Sequence, residues 1–335
     1  MVISGIGERF KIISVIVPVF NGEKHIDAVV QCLENQGVID FEVIFVDDGS
    51  TDGSLDKLRS ISDNSGLNVK IISQENAGVS AARNAGIRAS VGDFICFCDV
   101  DDEITDDYLY KMHSAMMSKN IDLVICKYKL IQVDGTELSY SEVETGEVTI
   151  TDPVSCLRDF LYGRISTGVW SIMVRKEVLI ENCLMFAEGY KYSEDLHMVW
   201  RVIAKSRMIA YLNKRLYVYK LQEGSATSSF NNERFHGYTL MQNLNGFFLD
   251  HAPQFVDEYT KYGAPRLLWS ITWQASTYYN YSEFKAFIQD NKVKKEMWKL
   301  KTSRERKVAI SALMLMVSPY LFRQLALRYG KKYIH

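Results

Sequence analysis

Four short polar clusters stand at the ends of hydrophobic runs or at a helix start, and they contain the residue types that hold cations, grip phosphates and move protons. Asp99-Val100-Asp101 closes the apolar run from Phe94 to Cys98. Two carboxylates one residue apart offer hard oxygen donors to a divalent ion such as Mn²⁺ or Mg²⁺, and an ion held there would neutralise a departing diphosphate. The same spacing also occurs in solvated turns, so the pair alone does not decide. Asp47-Asp48-Gly49-Ser50-Thr51-Asp52 reads as a turn leading into a capped helix, or as a carboxylate presented to the base or ribose of a nucleotide. Arg83-Asn84 lies in the small-residue stretch from Ala81 to Gly86. It is a solvated arginine, or its fork is aimed at a carboxylate or at phosphate oxygens. Glu194-Asp195 precedes Leu196, Val199, Trp200 and Ile203, spaced as one face of a helix. An acidic pair there is a cap, or it supplies the ionised carboxylate that takes a proton from a hydroxyl. Asp195 is the candidate base and Glu194 the alternative.

These clusters need a scaffold that brings distant segments to one edge. Ile12 to Pro18, Phe41 to Val46, Val69 to Ile72 and Phe94 to Cys98 read as strands. Helical spacing over Lys24–Leu33, Ser54–Ser60 and Ser80–Ala89 separates them. Strict alternation of strand and helix predicts a mostly parallel, doubly wound α/β sheet, in which ligands bind at the carboxyl ends of the strands. Each of those ends is polar: Pro18-Val19-Phe20-Asn21, Asp47-Asp48-Gly49-Ser50, Gln74-Glu75-Asn76-Ala77-Gly78 and Asp99-Val100-Asp101-Asp102. Beyond Tyr128 the pattern changes to a hairpin about Asp134-Gly135, a helix starting near Asp152-Pro153 and a strand near Val169–Val174. From Phe235 the chain reads as mostly helix.

With 335 residues, 47% hydrophobic and 24% charged, the chain has room for one large α/β domain and a helical extension. A net charge of −2 excludes nucleic-acid binding by bulk electrostatics. Six cysteines lack metal-ligand spacing and read as buried free thiols of a reducing compartment. Met1 to Arg9 shows no secretory signal, so a cytoplasmic protein is expected.

The ordered set Pro18-Val19-Phe20-Asn21, Val46 to Asp52, Asn76-Ala77-Gly78 with Arg83-Asn84, Asp99 to Asp102, and Glu194-Asp195 resembles the family 2 inverting glycosyltransferases of the GT-A fold. The resemblance covers roughly residues 11 to 225. It implies that Pro18 and Asp48 contact the nucleotide base, with Phe20, Asn21, Glu23 and Asn76 in the same nucleotide-sugar site. It further implies that Arg83 supports that site, that Asp101 coordinates the cation, and that Asp99 faces the cation and the donor ribose or sugar. Asp195 would deprotonate the acceptor. The implied donor is a UDP-sugar, carrying glucose, galactose or N-acetylglucosamine, and the implied product is β-linked. Tyr217–Lys220 through Gly224–Thr227 resembles the family's loop over the diphosphate, with Lys220 where many relatives carry Arg. The implied organisation is a glycosyltransferase domain over 1–230 (nucleotide-sugar part 11–128, acceptor part 129–230) and a helical region over 231–335.

Between Lys292 and His335 there are 12 Lys/Arg against Glu296 and Glu305. The apolar run from Val308 to Phe322 has about 15 residues, short of the ~20 needed to cross a bilayer. A basic, partly apolar helix suits the inner membrane surface, and the alternative is a terminal helix packed on the core. Membrane contact fits an acceptor that is itself a lipid, and the resemblance implies which: a polyprenyl-diphosphate-linked saccharide in O-antigen, capsule or lipopolysaccharide assembly. A sugar nucleotidyltransferase is the rival enzyme, but Pro18-Val19-Phe20-Asn21-Gly22 is not its Gly-rich basic loop. A non-catalytic sugar-binding relative is the third reading, and the intact Asp101 and Asp195 argue against it.

Overall fold

The computed structural model describes residues 12–37, 40–118, 120–138, 144–222, 230–231 and 233–329. The chain divides into two compact units that do not follow chain order. Unit 1 takes Met1–Pro153, Thr167–Gly189 and Lys205–Leu221; unit 2 takes Val154–Ser166, Tyr190–Ala204 and Gln222–His335.

Unit 1 opens with β1 (Ile13–Val19), α1 (Glu23–Glu34), β2 (Phe41–Asp47), α2 (Ser54–Asn64), β3 (Val69–Ser73), α3 (Val79–Ala89) and β4 (Phe94–Phe97). These strands lie in the order β3-β2-β1-β4, all parallel, as the alternation of patterns predicts. β1 is wholly buried, which explains why most of it is β-branched. Pro18 stands one residue before its end without disturbing the sheet. Pairing of β1 with β4 stops at Ile16, so the missing N–H of Pro18 falls beyond that neighbour. Close helix packing requires Gly86 on α3, where a Cβ would approach Ile16 Cγ2 to 2.4 Å.

After β4 the sheet continues through β5 (Glu103–Ile104), α4 (Tyr108–Met116), β6 (Ile121–Ile131), β7 (Val148–Thr151), α5 (Pro153–Leu161), β8 (Ile172–Arg175), α6 (Lys176–Glu181), α7 (Glu194–Lys205) and β9 (Met208–Lys220). The order extends as β4-β8-β6-β9-β5, with β7 also on β9, and both β8 pairings are antiparallel. The hairpin about Asp134-Gly135 is present, with Leu130 and Leu138 bonded across it. Val169–Ser171 forms a short 3₁₀ turn, and the strand expected there starts at Ile172. Tyr217–Lys220 is the end of β9 rather than part of a loop, and residues 223–229 lie outside the described set. Of the cysteines, Cys96, Cys98, Cys126 and Cys156 are buried, whereas Cys183 is exposed. Burial raises the Cys96 and Cys98 thiols far above their usual range, as suits inert core groups.

Unit 2 gathers α7 with α8 (Arg234–His251), α9 (Pro253–Tyr278), α10 (Tyr281–Asp290), α11 (Val293–Met297), α12 (Arg306–Val317) and α13 (Pro319–Tyr329). Trp200 of α7 packs among Phe160, Phe248, Phe255 and Tyr259. The apolar run near the carboxyl end is two helices rather than one. Pro319 holds Ser318 in an extended conformation (φ −148°) and starts α13 afresh. No helix among the described residues is long and apolar enough to cross a membrane.

Asp122 of β6 ties the antiparallel part of the sheet together. Its carboxylate accepts Nε and Nη2 of Arg207 at 2.9 and 2.7 Å and faces Arg175 Nε at 3.3 Å. Burial alone would raise this carboxyl, but the hydrogen bonds and charge of Arg207, followed by Arg175, bring it below the usual range. A depressed folded value contributes stability above the unfolded titration near ~3.9 and loses it as pH falls through the folded value. Asp122→Asn is expected to destabilise by about 2 kcal/mol at pH 7 in urea denaturation. The gap to the parent protein should close on acidification.

Candidate active site

The strand-end loops of unit 1 are stitched to one another. Asn21 adopts the left-handed conformation (φ 50°), and its Oδ1 accepts the amide of Thr51 at 2.8 Å. The amides of Asn21 and Gly22 donate to the hydroxyls of Ser50 and Ser54 at 3.0 and 2.9 Å. Glu23, first residue of α1, accepts the amide of Gly53 and donates its own amide to Asp52. Asn21 and Glu23 therefore bind the loop after β2. Phe20, beside them, is 52% exposed.

Asp48 joins that loop to the next one. Its Oδ1 accepts Gln74 Nε2 at 2.7 Å and the amide of Ala77 at 3.0 Å, and its Oδ2 accepts the amide of Gly78 at 2.8 Å. Asn76 Nδ2 donates to the Asp48 carbonyl at 2.9 Å. This close approach requires glycine at 49. Its φ is +72°, and a Cβ would lie 2.7 Å from the amide nitrogen of Asn76.

Arg83 is buried on α3, and its Nη2 donates to Asp99 Oδ1 at 2.7 Å. Its guanidinium also lies 5.5 Å from the centroid of Phe186. The fork thus reaches a carboxylate of the site, and removing it would leave Asp99 without its counter-charge. Asn84 next to it binds the Phe186 backbone in both directions and Glu188 Oε1.

Asp102 is buried behind the pair. It accepts Tyr217 Oη at 2.8 Å and the amide of Lys220 at 2.9 Å, while Tyr217 Oη accepts the amide of Asp99 at 3.1 Å. Lys220 Nζ pairs with Glu103. Burial, then Asp99, pushes the Asp102 carboxyl well above the usual range, and the same two causes raise Asp101. His25 and Lys24 act on Asp101 in the opposite sense. Among the described residues no group of three or more His, Cys, Asp or Glu is already arranged to hold a metal ion.

Unit 1 therefore brings together Pro18, Phe20, Asn21, Glu23, Asp48, Asn76, Arg83, Asp99 and Asp101. Glu194 and Asp195 stand in unit 2, at the first turn of α7, where Asp195 Oδ1 accepts the amide of Leu196 at 2.6 Å. Sequence reasoning quoted Asp102 and Tyr217 within motifs without seeing that they anchor the site, and it missed Glu188 and an aromatic stack in which Trp170 lies on Tyr217 and Tyr219 at 4.7 and 5.3 Å. Tyr217 and Tyr219 are two apart on a strand and must share a face, which is the signal that was available.

Residues 14–171 match the model of glycosyl transferase family 2. The chain carries a family 2 glycosyltransferase domain. It is 29% identical over 255 residues to the putative glycosyltransferase EpsH of Bacillus subtilis, covering 74% of this chain and 72% of that protein. It spans 62% to 63% of the length of several further relatives. The GT-A fold is shared with Staphylococcus aureus TarS 1–349 in complex with UDP-GlcNAc (TM-score 0.66, 20% identity, 96% of this chain and 91% of that one). It is shared also with the mannosyltransferase PcManGT of Pyrobaculum calidifontis in complex with GDP-Man and Mn²⁺ (TM-score 0.51, 16% identity, 93% and 88%). The protein is a glycosyltransferase related to enzymes of polysaccharide biosynthesis, and the nucleotidyltransferase and non-catalytic readings give way to the family match.

Replacing Gly49 by alanine tests the stitched edge. Gly49→Ala is expected to cost about 1–3 kcal/mol in denaturant unfolding and to weaken nucleotide binding in calorimetry, because the Asp48 loop must move away from Asn76.

Proposed function

We propose that this glycosyltransferase moves a single glucose, galactose or N-acetylglucosamine from a UDP-sugar to a hydroxyl of a polyprenyl-diphosphate-linked saccharide, with inversion, in O-antigen or capsule assembly. The observation that carries the donor half is the cluster of Asp99, Asp101 and buried Arg83 at the carboxyl edge of parallel strands that Asn21, Asp48 and Asn76 lock together. The UDP-GlcNAc named with the related TarS structure supports the choice of nucleotide.

In this reading the base and ribose lie against Pro18, Phe20 and the Asp48 loop. Asp48 positions that loop with three of its acceptor sites and keeps capacity for one N–H of uracil. GT-A enzymes commonly use divalent metals. Asp99 and Asp101 fit Mn²⁺ or Mg²⁺, being hard oxygen donors; burial first and Asp99 second raise the Asp101 carboxyl, and a cation would relieve both. Such an ion supplies charge neutralisation to the diphosphate. Asp195 accepts the proton of the acceptor hydroxyl, whose oxygen forms the new bond to the anomeric carbon. The bond from that carbon to the diphosphate oxygen breaks, and its electron pair leaves with UDP. Attack opposite the leaving group converts an α-linked donor into a β-linked product.

The lipid acceptor is supported by the carboxyl-terminal helices. Ile310, Leu313 and Val317 lie on the face of α12 opposite its buried residues, and Tyr320 and Leu321 are likewise open at the start of α13. Arg304, Arg306 and Lys307 precede this surface, the combination that suits contact with an anionic inner-membrane leaflet. Lys331 and Lys332 lie outside the described residues.

The test is a panel of nucleotide sugars with Mn²⁺ and a GlcNAc-diphosphate-lipid analogue, read by UDP release and product linkage. Asp101→Ala and Asp195→Ala are each expected to lower kcat by roughly 10²–10⁴-fold while leaving the unfolding transition in place. Full turnover in either folded variant sinks the proposal.

A further inference from the structure

Unit 2 holds a cleft of about 480 Å³ formed by α9, α12 and α13. Trp269, Trp273, Val308, Ile310, Leu325 and Tyr329 supply most of its wall. Several of its polar groups are already matched to one another. Trp269 Nε1 donates to Ser311 Oγ at 2.8 Å, Ser311 Oγ donates to the Lys307 carbonyl at 2.7 Å, and Arg266 sends Nε and Nη2 to the two oxygens of Glu305 at 2.9 and 3.2 Å. A sugar bound here would need unmatched donors and acceptors to orient its hydroxyls. The wall offers aromatic and aliphatic carbon instead, which suits a hydrocarbon chain.

Charge at one end of the cleft is positive on balance, because Arg266 and Lys307 line it against Glu305. Glu305, the residue that caps α12, is held by two guanidinium nitrogens of Arg266, and Arg306 and Lys307 follow it on the first turn. Cations at a helix amino end oppose the helix dipole, and an anionic group placed among them removes that conflict. Ile310 connects the cleft to the open face, because it lines the one and is 60% exposed on the other.

We propose that this cleft binds one hydrocarbon chain of a phosphate-bearing lipid, the chain lying against Trp269, Trp273 and Leu325 and the phosphate beside Lys307. A diphosphate-linked isoprenoid and an anionic phospholipid share that chemistry. The full chain, without nucleotide sugar, is titrated with geranylgeranyl diphosphate below its micelle concentration while tryptophan fluorescence is recorded. Parallel titrations use geranylgeraniol and vesicles of phosphatidylglycerol or phosphatidylcholine. The expected result is a saturable response to the diphosphate, weakened about tenfold or more by Ile310→Glu and by Lys307→Glu, roughly 1.4 kcal/mol of binding or more. Lys285→Glu, on α10 and outside the cleft, is expected to leave it unchanged. Competition by phosphatidylglycerol vesicles assigns the cleft to anionic lipids in general, and its absence assigns it to the isoprenoid diphosphate. No saturable response, equal binding of the uncharged alcohol, or equal damage from Lys285→Glu overturns the proposal. All three substituted side chains are exposed, so their thermal unfolding should match the parent to within a few degrees. Binding is read without sugar transfer, so a negative result here leaves the proposed reaction standing, and an inactive enzyme leaves this result readable.

Discussion

Asp47, Asp48, Asp99, Asp101 and Asp102 all lie at the carboxyl edge of the parallel strands, and like charges held this close drive their loops apart unless each is answered. Unit 1 answers most of them locally. Backbone amides and Gln74 take the Asp48 carboxylate, Ser50 and Ser73 take Asp47, Arg83 takes Asp99, and Tyr217 with the Lys220 amide takes Asp102. Two carboxyls nevertheless stay above the ordinary range. Burial and Asp99 raise Asp102 well above it despite those partners, and the same two causes outweigh the help that Asp101 gains from its own backbone, His25 and Lys24. Asp102 is buried and Asp101 only half-buried, so the shortage of positive charge at this edge is open to solvent at Asp101.

The same arrangement explains why the glycines and asparagines of these loops are not interchangeable with other turn residues. Asp48 can reach Ala77 and Gly78 only if the backbone passes within contact distance of Asn76 at Gly49, where no side chain fits. Asn21 takes a positive φ so that its side chain can meet Thr51. What reads in the sequence as turn chemistry is in the fold a set of cross-links between loops. The proposed nucleotide contact and the observed loop closure would thus draw on the same residues, and neither reading of Asp47–Asp52 excludes the other.

The parallel half was legible because each strand there is a local pattern: a short, mostly apolar run stopped by a polar turn, with helical spacing between successive strands. β8 and β9 were harder. They reach the sheet from distant segments and pair antiparallel with β4 and in parallel with β6, and strand direction leaves no mark on a short apolar run such as Ile172–Arg175. The carboxylates Asp99, Asp101 and Asp48 announced themselves by type and spacing. Asp102, Tyr217 and Glu188 did not, because their importance lies in partners far away in sequence. The apolar run from Val308 to Phe322 showed its hydrophobicity but hid its break. Only the backbone restriction that Pro319 places on Ser318 separates α12 from α13.

The chain order places the candidate base under a further constraint. Residues 190–204, which carry Glu194 and Asp195, belong to unit 2, yet the segments immediately before and after them belong to unit 1. Gly189 and Ser193 take positive φ where the chain leaves, and Arg207 is clamped to Asp122 where it has returned. α7 itself is held by Trp200 among Phe160, Phe248, Phe255 and Tyr259. A helix anchored by so large an aromatic cluster holds its first turn fixed within unit 2, and a candidate general base needs such a rigid support before its acidity matters. The carboxylates of the proposed donor site are positioned by hydrogen bonds among loops, and the candidate base by hydrophobic packing of a helix. Substitutions in the two places should therefore differ in kind: polar changes at the strand ends disturb the proposed donor site directly, whereas truncation of Trp200 disturbs Asp195 through the core beneath it.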